Sequence, residues 1–289
     1  MPNVSLGMIR RLAMALGLLT LLQACSPLAA LNSALVRDDP IVGRDIAYGT
    51  DPRQHLDVYA PSNAANLPVV VFIYGGSWKS GDRRDYRFVG SQLARAGIVT
   101  VIPDYRLYPQ IRFPAFVDDA AAAVAWTARN IAGFGGDPRR IVIAGHSAGA
   151  QMAALVALNR RYLPPDVAVA GLVGIAGPYA FDPFEYKDTR DVFTGLQNPD
   201  EARAITFADA RSPPAVLMHG NDDGIVHDVN SKALADRLTE LGVPVTYHVY
   251  DGAGHIGILL ALYPGLGWIA PTLADTIAAV HGFPARDAP

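Results

Sequence analysis

The sequence predicts an α/β fold, a mostly parallel sheet with helices on both faces. Three observations point there. From residue 67 onward, apolar runs of strand length alternate with longer helical stretches, the pattern of a sheet wound with crossover helices. Those runs, such as residues 69–73 and 98–102, are continuous rather than alternating, as in strands buried on both faces. The composition also fits: 289 residues, 51% hydrophobic and 18% charged, are enough for one large core. A net charge of −3 gives no electrostatic case for nucleic acid.

The elements follow in order. Arg10 and Arg11 precede an apolar run over residues 12–22, then Gln23-Ala24-Cys25. This is the charged region, apolar region and small-residue cleavage site of a secretory signal. The run is shorter than the ~20 residues that span a bilayer. "LQAC" also resembles a bacterial lipobox, with residues 1–24 removed and Cys25 lipidated; a plain signal peptide is the alternative. Similarity to Gram-negative lipoproteins implies, from Ser26, a periplasm-facing outer-membrane protein with a membrane anchor. Cys25 is the only cysteine, so no disulfide forms within the chain. Residues 25–42 read as a tether and residues 43–283 as the folded domain, with a short tail over 284–289.

"RDIAYG" and "QHLDVYA" alternate well enough for two antiparallel edge strands. "LPVVVFIYGG" is a buried strand ending in two glycines. Residues 85–96 form a helix stopped at Gly97, and "IVTVIPDYRL" is the next strand. Residues 113–135 form an alanine-rich helix, closed by Gly133, Gly135 and Gly136. "RRIVIAGHSAG" is a strand leading into the helix "AQMAALVALNR", and "VAGLVGIAGPY" is a strand. Residues 180–212 are a polar, aromatic-rich insertion, short for a lid. "PPAVLMHG" and "PVTYHVYDGAGH" are the last strands, around a helix over residues 229–241. A final helix lies within residues 256–281, interrupted near Pro264 and Pro271.

In a parallel sheet, chemistry sits at the carboxyl ends of the strands. Gly145-His146-Ser147-Ala148-Gly149 fits G-x-S-x-G on a strand–turn–helix, where glycines give the serine room and a helix start favours negative charge. Ser147 is therefore the candidate nucleophile, and a serine hydroxyl needs a base. Of seven histidines, His146 lies inside the turn with its side chain pointing away from the serine's. His219 precedes Gly220 at a strand end and reads as structural. His55, His227, His248 and His281 lack a matching context. His255, in "YDGAGHIG" after the last strand, is the candidate general base. "HGNDDGIV" offers two adjacent acids to orient it, and Asp222 and Asp223 point differently, so one serves. The backbone N–H of Ala148, with that of Gly76 and of Gly75 or Ser77, would face the oxygen that turns negative on attack. Trp78 lines the acyl pocket or packs under the loop, packing being favoured. Tyr179, Phe181 and Ile256 are candidate pocket residues. Asp104 and Arg106 brace neighbouring loops, and Asp118 and Asp119 suit the start of a helix.

The stretches "YGGSW", "PDYRLYPQIRFPAFVDD", "FGGDPRRIVIAGHSAGAQ", "HGNDDGIV" and "GAGH" resemble the α/β-hydrolase superfamily from residue 45 to about 282. The resemblance is to esterases and lipases with an H-G-G-x-W oxyanion motif, including kynurenine formamidase-like and isoprenylcysteine methylesterase-like enzymes. It implies the α/β-hydrolase fold, with a mostly parallel eight-stranded sheet and residues 180–212 as a short cap. It implies Asp223 as the triad acid, from the family's H-G-x-x-D-x-x-V. It also implies a serine ester hydrolase working through an acyl-enzyme, with no metal or cofactor; the shortness of residues 180–212 points to small or short-acyl esters rather than packed triglyceride. An amidase or arylformamidase with the same triad, or a catalytically silent binding protein, are the alternatives. Tyr74 stands where that family has histidine, and is expected to be a structural prop.

Overall fold

The computed structural model describes Asn32 and residues 40–287. The expected signal, Cys25 and most of the expected tether lie outside them. Eight strands form one sheet in the order β1-β2-β4-β3-β5-β6-β7-β8. These are β1 (Ile41–Ala47), β2 (His55–Tyr59), β3 (Leu67–Ile73), β4 (Val99–Pro103), β5 (Gly136–His146), β6 (Gly171–Ile175), β7 (Ala215–Gly220) and β8 (Val245–Tyr250). β2 is antiparallel to both β1 and β4. β3 to β8 pair in parallel. β1 takes in Ile41 and Val42, so the sheet begins two residues inside the expected tether.

β4, β6 and β7 are buried along their whole length, which requires cover on both faces. The cover comes from α1 (Arg87–Arg95), α2 (Ala115–Asn130), α3 (Ala148–Leu158), α4 (Val229–Glu240), α5 (His255–Leu260) and α6 (Thr272–Gly282). α2 and α3 pack together, and α3 lies against β5 and β6. α6 meets the end of α1, where His281 Nε2 donates to the Ala96 carbonyl at 3.1 Å. The last helix is broken as expected, a short 3-10 turn at Pro264–Leu266 separating α5 from α6. Proline at a helix start costs nothing, whereas inside a helix it would remove a hydrogen bond. No helix among the described residues is long and apolar enough to cross a membrane.

Residues 180–212 contain only three 3-10 turns, at Arg190–Phe193, Pro199–Ala202 and Ala204–Phe207. They are tied to the body by side chains and backbone. Gln151 Nε2 donates to the Ala202 carbonyl at 2.8 Å, and Ala180 N–H donates to Asn230 Oδ1 at 3.1 Å. Phe113 N–H donates to the Val192 carbonyl at 3.0 Å.

Candidate active site

β5 ends at His146, and α3 begins at Ala148. Ser147 is the single residue between them, at φ 56° and ψ −126°, a conformation sparsely populated by non-glycine residues. The turn is closed sterically. A Cβ on Gly149 would lie 2.0 Å from the Ile73 carbonyl oxygen, so only glycine lets the helix start this close to β3. Ser147 Oγ is 2.8 Å from His255 Nε2, and His255 Nδ1 is 2.7 Å from Asp223 Oδ2. The protons follow from the acceptors: Nδ1–H donates to the carboxylate, leaving Nε2 to accept from the serine. Ser147 comes from the β5–α3 turn, Asp223 from the loop after β7, and His255 from the first turn of α5. All three lie at the carboxyl edge of the sheet.

Of the two adjacent acids, Asp223 reaches His255. Asp222 is exposed, and its N–H donates to the Ala253 carbonyl at 3.3 Å. Asp223 Oδ1 accepts the N–H groups of Ile225 and Val226, each at 2.9 Å. Its Oδ2 also lies 3.2 Å from His219 Nε2. Burial alone would raise this carboxyl, but the hydrogen bonds from His219, His255 and Val226 outweigh it and hold it well below the ordinary carboxylate range. The His219 ring is itself fixed, with Nδ1 2.7 Å from Ser231 Oγ and Nε2 2.8 Å from the Val226 carbonyl. The histidine read as structural thus touches the triad carboxylate. The signal available was its place in "HGNDDGIV", four residues before Asp223.

The loop after β3 faces the serine from the other side. A Cβ on Gly75 would sit 2.9 Å from Ser147 Cβ, so bare backbone is needed for this approach. Gly76 has φ +125°, and a Cβ there would lie 2.1 Å from the Ser80 carbonyl oxygen. That carbon would block the turn itself, in which Lys79 and Ser80 N–H donate to the Gly76 carbonyl at 3.0 and 3.1 Å. Among the described residues, Gly76 N–H donates to no backbone carbonyl, and Ala148 N–H, first in its helix, has no intrahelical acceptor.

Tyr74 turns away from this site. Its ring is fully buried between Tyr86 and Tyr105, with centroids at 5.0 and 4.8 Å. Its hydroxyl donates to Asp104 Oδ1 at 2.6 Å and accepts from Arg53 Nη2 at 3.0 Å. Asp104 also accepts from the Arg83 backbone N–H at 2.7 Å and pairs with the Arg83 guanidinium. Arg106 pairs with Asp119 at 2.7 Å. Asp119 is 1% exposed, so it is an internal anchor for Arg106 and for Gln54, which donates at 2.7 Å, rather than a helix-start acid. Asp118 is the acid in that helix's first turn.

A cavity of about 230 Å3 opens on the serine, lined by Ser147, Ala148, Trp78, Phe181, Tyr186 and Ile225 among others. Trp78 both packs and lines. Its Nε1–H donates to Gln151 Oε1 at 3.2 Å, and its ring stacks on Phe181 at 5.8 Å. Two expected pocket residues are elsewhere. Tyr179 is fully buried, folded against Gly174 of β6 and Gly177, and does not line the cavity. Ile256 is 51% exposed and also outside the cavity. Tyr186 and Ile225, which do line it, were not singled out in the sequence. A larger cavity, about 600 Å3 between Val156, Leu163 and Arg286, contains none of the triad residues.

The sheet, the serine turn and the loop order define an α/β-hydrolase of the esterase type in fold. The BD-FAE family model matches residues 56–238, and the chain belongs to that family. It is similar to the isoprenylcysteine alpha-carbonyl methylesterase ICME of Arabidopsis thaliana, at 32% identity over 83% of this chain and 62% of that protein. It is also similar to the esterase LipC of Mycobacterium tuberculosis, at 32% identity over 73% of this chain and 59% of that protein. The chain spans 56–63% of the length of the curated relatives it matches. A propionate-bound esterase from Thermogutta terrifontis shares the fold at a TM-score of 0.69 and 24% identity, covering 86% of this chain and 97% of that one.

Proposed function

We propose that the protein is a serine carboxylic ester hydrolase acting through an acyl-enzyme. The observation that carries this is the unbroken hydrogen-bond chain from Ser147 through His255 to Asp223, opening on a cavity beside the Ala148 N–H. In this reading Ser147 Oγ attacks the ester carbonyl carbon while His255 Nε2 takes its proton. Asp223, held ionised, stabilises the imidazolium. The carbonyl oxygen becomes negative facing the N–H groups of Ala148 and Gly76, each donor lowering the barrier by about 3–4 kcal/mol. His255 then gives the proton to the leaving alkoxide. Water, deprotonated by the same imidazole, then attacks the acyl carbonyl; the bond to Ser147 Oγ breaks, Oγ takes the proton back from His255, and the acid leaves.

The cavity sets the substrate size. At about 230 Å3, walled in part by Trp78 and Phe181, it suits small or short-acyl esters rather than long acyl chains. The test is labelling with a serine-reactive fluorophosphonate, followed by turnover of p-nitrophenyl esters of graded acyl length and a matched anilide. Labelling at Ser147 and a preference for short acyl groups are expected. An unlabelled Ser147 in folded protein refutes the reading, and faster anilide turnover would make it an amidase.

Anchoring is a separate part of the proposal. The apolar run over residues 12–22 followed by "LQAC" supports lipidation at Cys25 and a periplasm-facing outer-membrane location. Mass spectrometry of the mature N-terminus tests it: a diacylglyceryl mass on Cys25 supports it, and an unmodified or absent Cys25 refutes it.

A further inference from the structure

One buried histidine beside the triad has no part in the chemistry so far. The His146 ring is 2% exposed and lies 4.7 Å from the His255 ring, centroid to centroid. Its Nε2 is 2.9 Å from the backbone carbonyl oxygen of His255. A carbonyl only accepts, so Nε2 carries the proton. Its Nδ1 is then a bare acceptor, buried and without a partner among the described residues. A second proton on this ring would have no acceptor. Burial, and then the neighbouring His255, push the imidazole down to about 3, with Asp223 and His219 the other titratable groups facing it.

From this geometry we infer that His146 is a positioning residue, which sets the His255 imidazole through its main chain. This rests on the ester-hydrolase reading above. His255 opens α5 after the glycine-flexed segment Gly252–Gly254, so its imidazole is only as well placed as that loop. The loop is pinned on either side of the imidazole. Asp222 N–H donates to the Ala253 carbonyl, and His146 donates to the His255 carbonyl. His146 is also the residue before the nucleophile, and it ends β5 in register with Ile175 of β6. The bond therefore ties base to nucleophile directly, with no intervening element. Because its only proton is on Nε2, His146 stays neutral while His255 gains charge, and the imidazolium meets no like charge beside it.

The test compares His146→Leu, which removes the donor, with His146→Gln, whose amide can reach the same carbonyl. Wild-type protein is first labelled with fluorophosphonate, which decides the hydrolase reading by itself. With kinetics normalised to labelled sites, His146→Leu is expected to lower kcat about tenfold or more, since small misplacements of a catalytic group are costly. KM should stay within about twofold, because no substrate contact is lost. His146→Gln should recover most of the loss. Wild-type kcat in folded His146→Leu overturns the inference, and so does a folded His146→Gln as impaired as His146→Leu. If His146→Leu does not fold, His146→Gln decides alone: near-normal kcat sustains the inference and a large kcat loss overturns it.

Discussion

Replacing Tyr74 with phenylalanine removes one oxygen and leaves the ring stack on Tyr86 and Tyr105 intact. The oxygen makes two hydrogen bonds to charged partners, donating to Asp104 at 2.6 Å and accepting from Arg53 at 3.0 Å. Burial and the neighbouring Tyr105 and Asp104 hold the phenol well above its ordinary value, so it remains a donor. A hydrogen bond to a charged group contributes about 1.5–3 kcal/mol, and two would suggest more. Neither partner is stranded, however. Asp104 keeps the Arg83 N–H and guanidinium, and Arg53 keeps the carbonyls of Tyr105 and Gly81, each at 2.8 Å. The expected loss is therefore about 2 kcal/mol in total, near one charged bond rather than two. For a domain of ~250 residues this lowers Tm by about 4–8 °C. The hydroxyl points away from Ser147, so kcat should stay within about threefold of wild type. Calorimetry and ester turnover on the same preparation measure both. A loss of activity as deep as that of Ser147→Ala, with Tm unchanged, would refute the argument and make the phenol a catalytic donor.

Three further outcomes follow from the same geometry. Asp223→Asn puts an uncharged amide against the ring N–H groups of His255 and His219, and kcat should fall about 10⁴-fold. Asp222→Asn, at an exposed acid, should leave kcat within about twofold, and equal losses at the two positions would refute the assignment. Gly75→Ala forces a carbon 2.9 Å from Ser147 Cβ, and kcat should drop about 10²-fold by displacing the loop that faces the oxyanion. Acid should destabilise the fold in two stages, readable as urea midpoints. His146, neutral when folded, takes up a proton once unfolded, so stability is lost as pH falls from about 6.5 toward about 3. Asp223, depressed when folded, contributes fully above the ordinary carboxylate value and loses its share only below it. His146→Leu should flatten the first stage alone, and midpoints constant from pH 7 to pH 4 would contradict the burial argument.

The order of elements was readable because strand and helix periods differ and glycines mark the breaks. Ser147 and His255 were readable because each follows a recognisable strand; strand position left Asp222 and Asp223 both open, and the family resemblance chose between them. The pocket was readable only in part: Trp78 and Phe181 line it, but Tyr186 and Ile225 come from segments without periodicity. Residues 180–212 fold as short 3-10 turns whose inward side chains no spacing rule selects. Ile256 shows why nearness in sequence misleads: it follows His255 on a helix, about 100° further round, so it faces out when the histidine faces in. Tyr179 fails differently. Its ring occupies space left by Gly174 and Gly177, and a large side chain fits behind small ones that the sequence does not mark as its neighbours. Asp119 was misread because its partner Arg106 lies on the preceding loop, where helix-position rules do not look.

The backbone at Ser147 has a consequence for directed evolution. Glycine adopts φ 56°, ψ −126° freely, whereas a serine there stores about 1–3 kcal/mol. A library screened only for heat resistance would thus be drawn toward Ser147→Gly, and, with Ser147 the proposed nucleophile, its most durable survivors would be inert. Any effort to harden this protein has to screen for turnover in every round, because selection for melting temperature and selection for chemistry oppose each other at position 147.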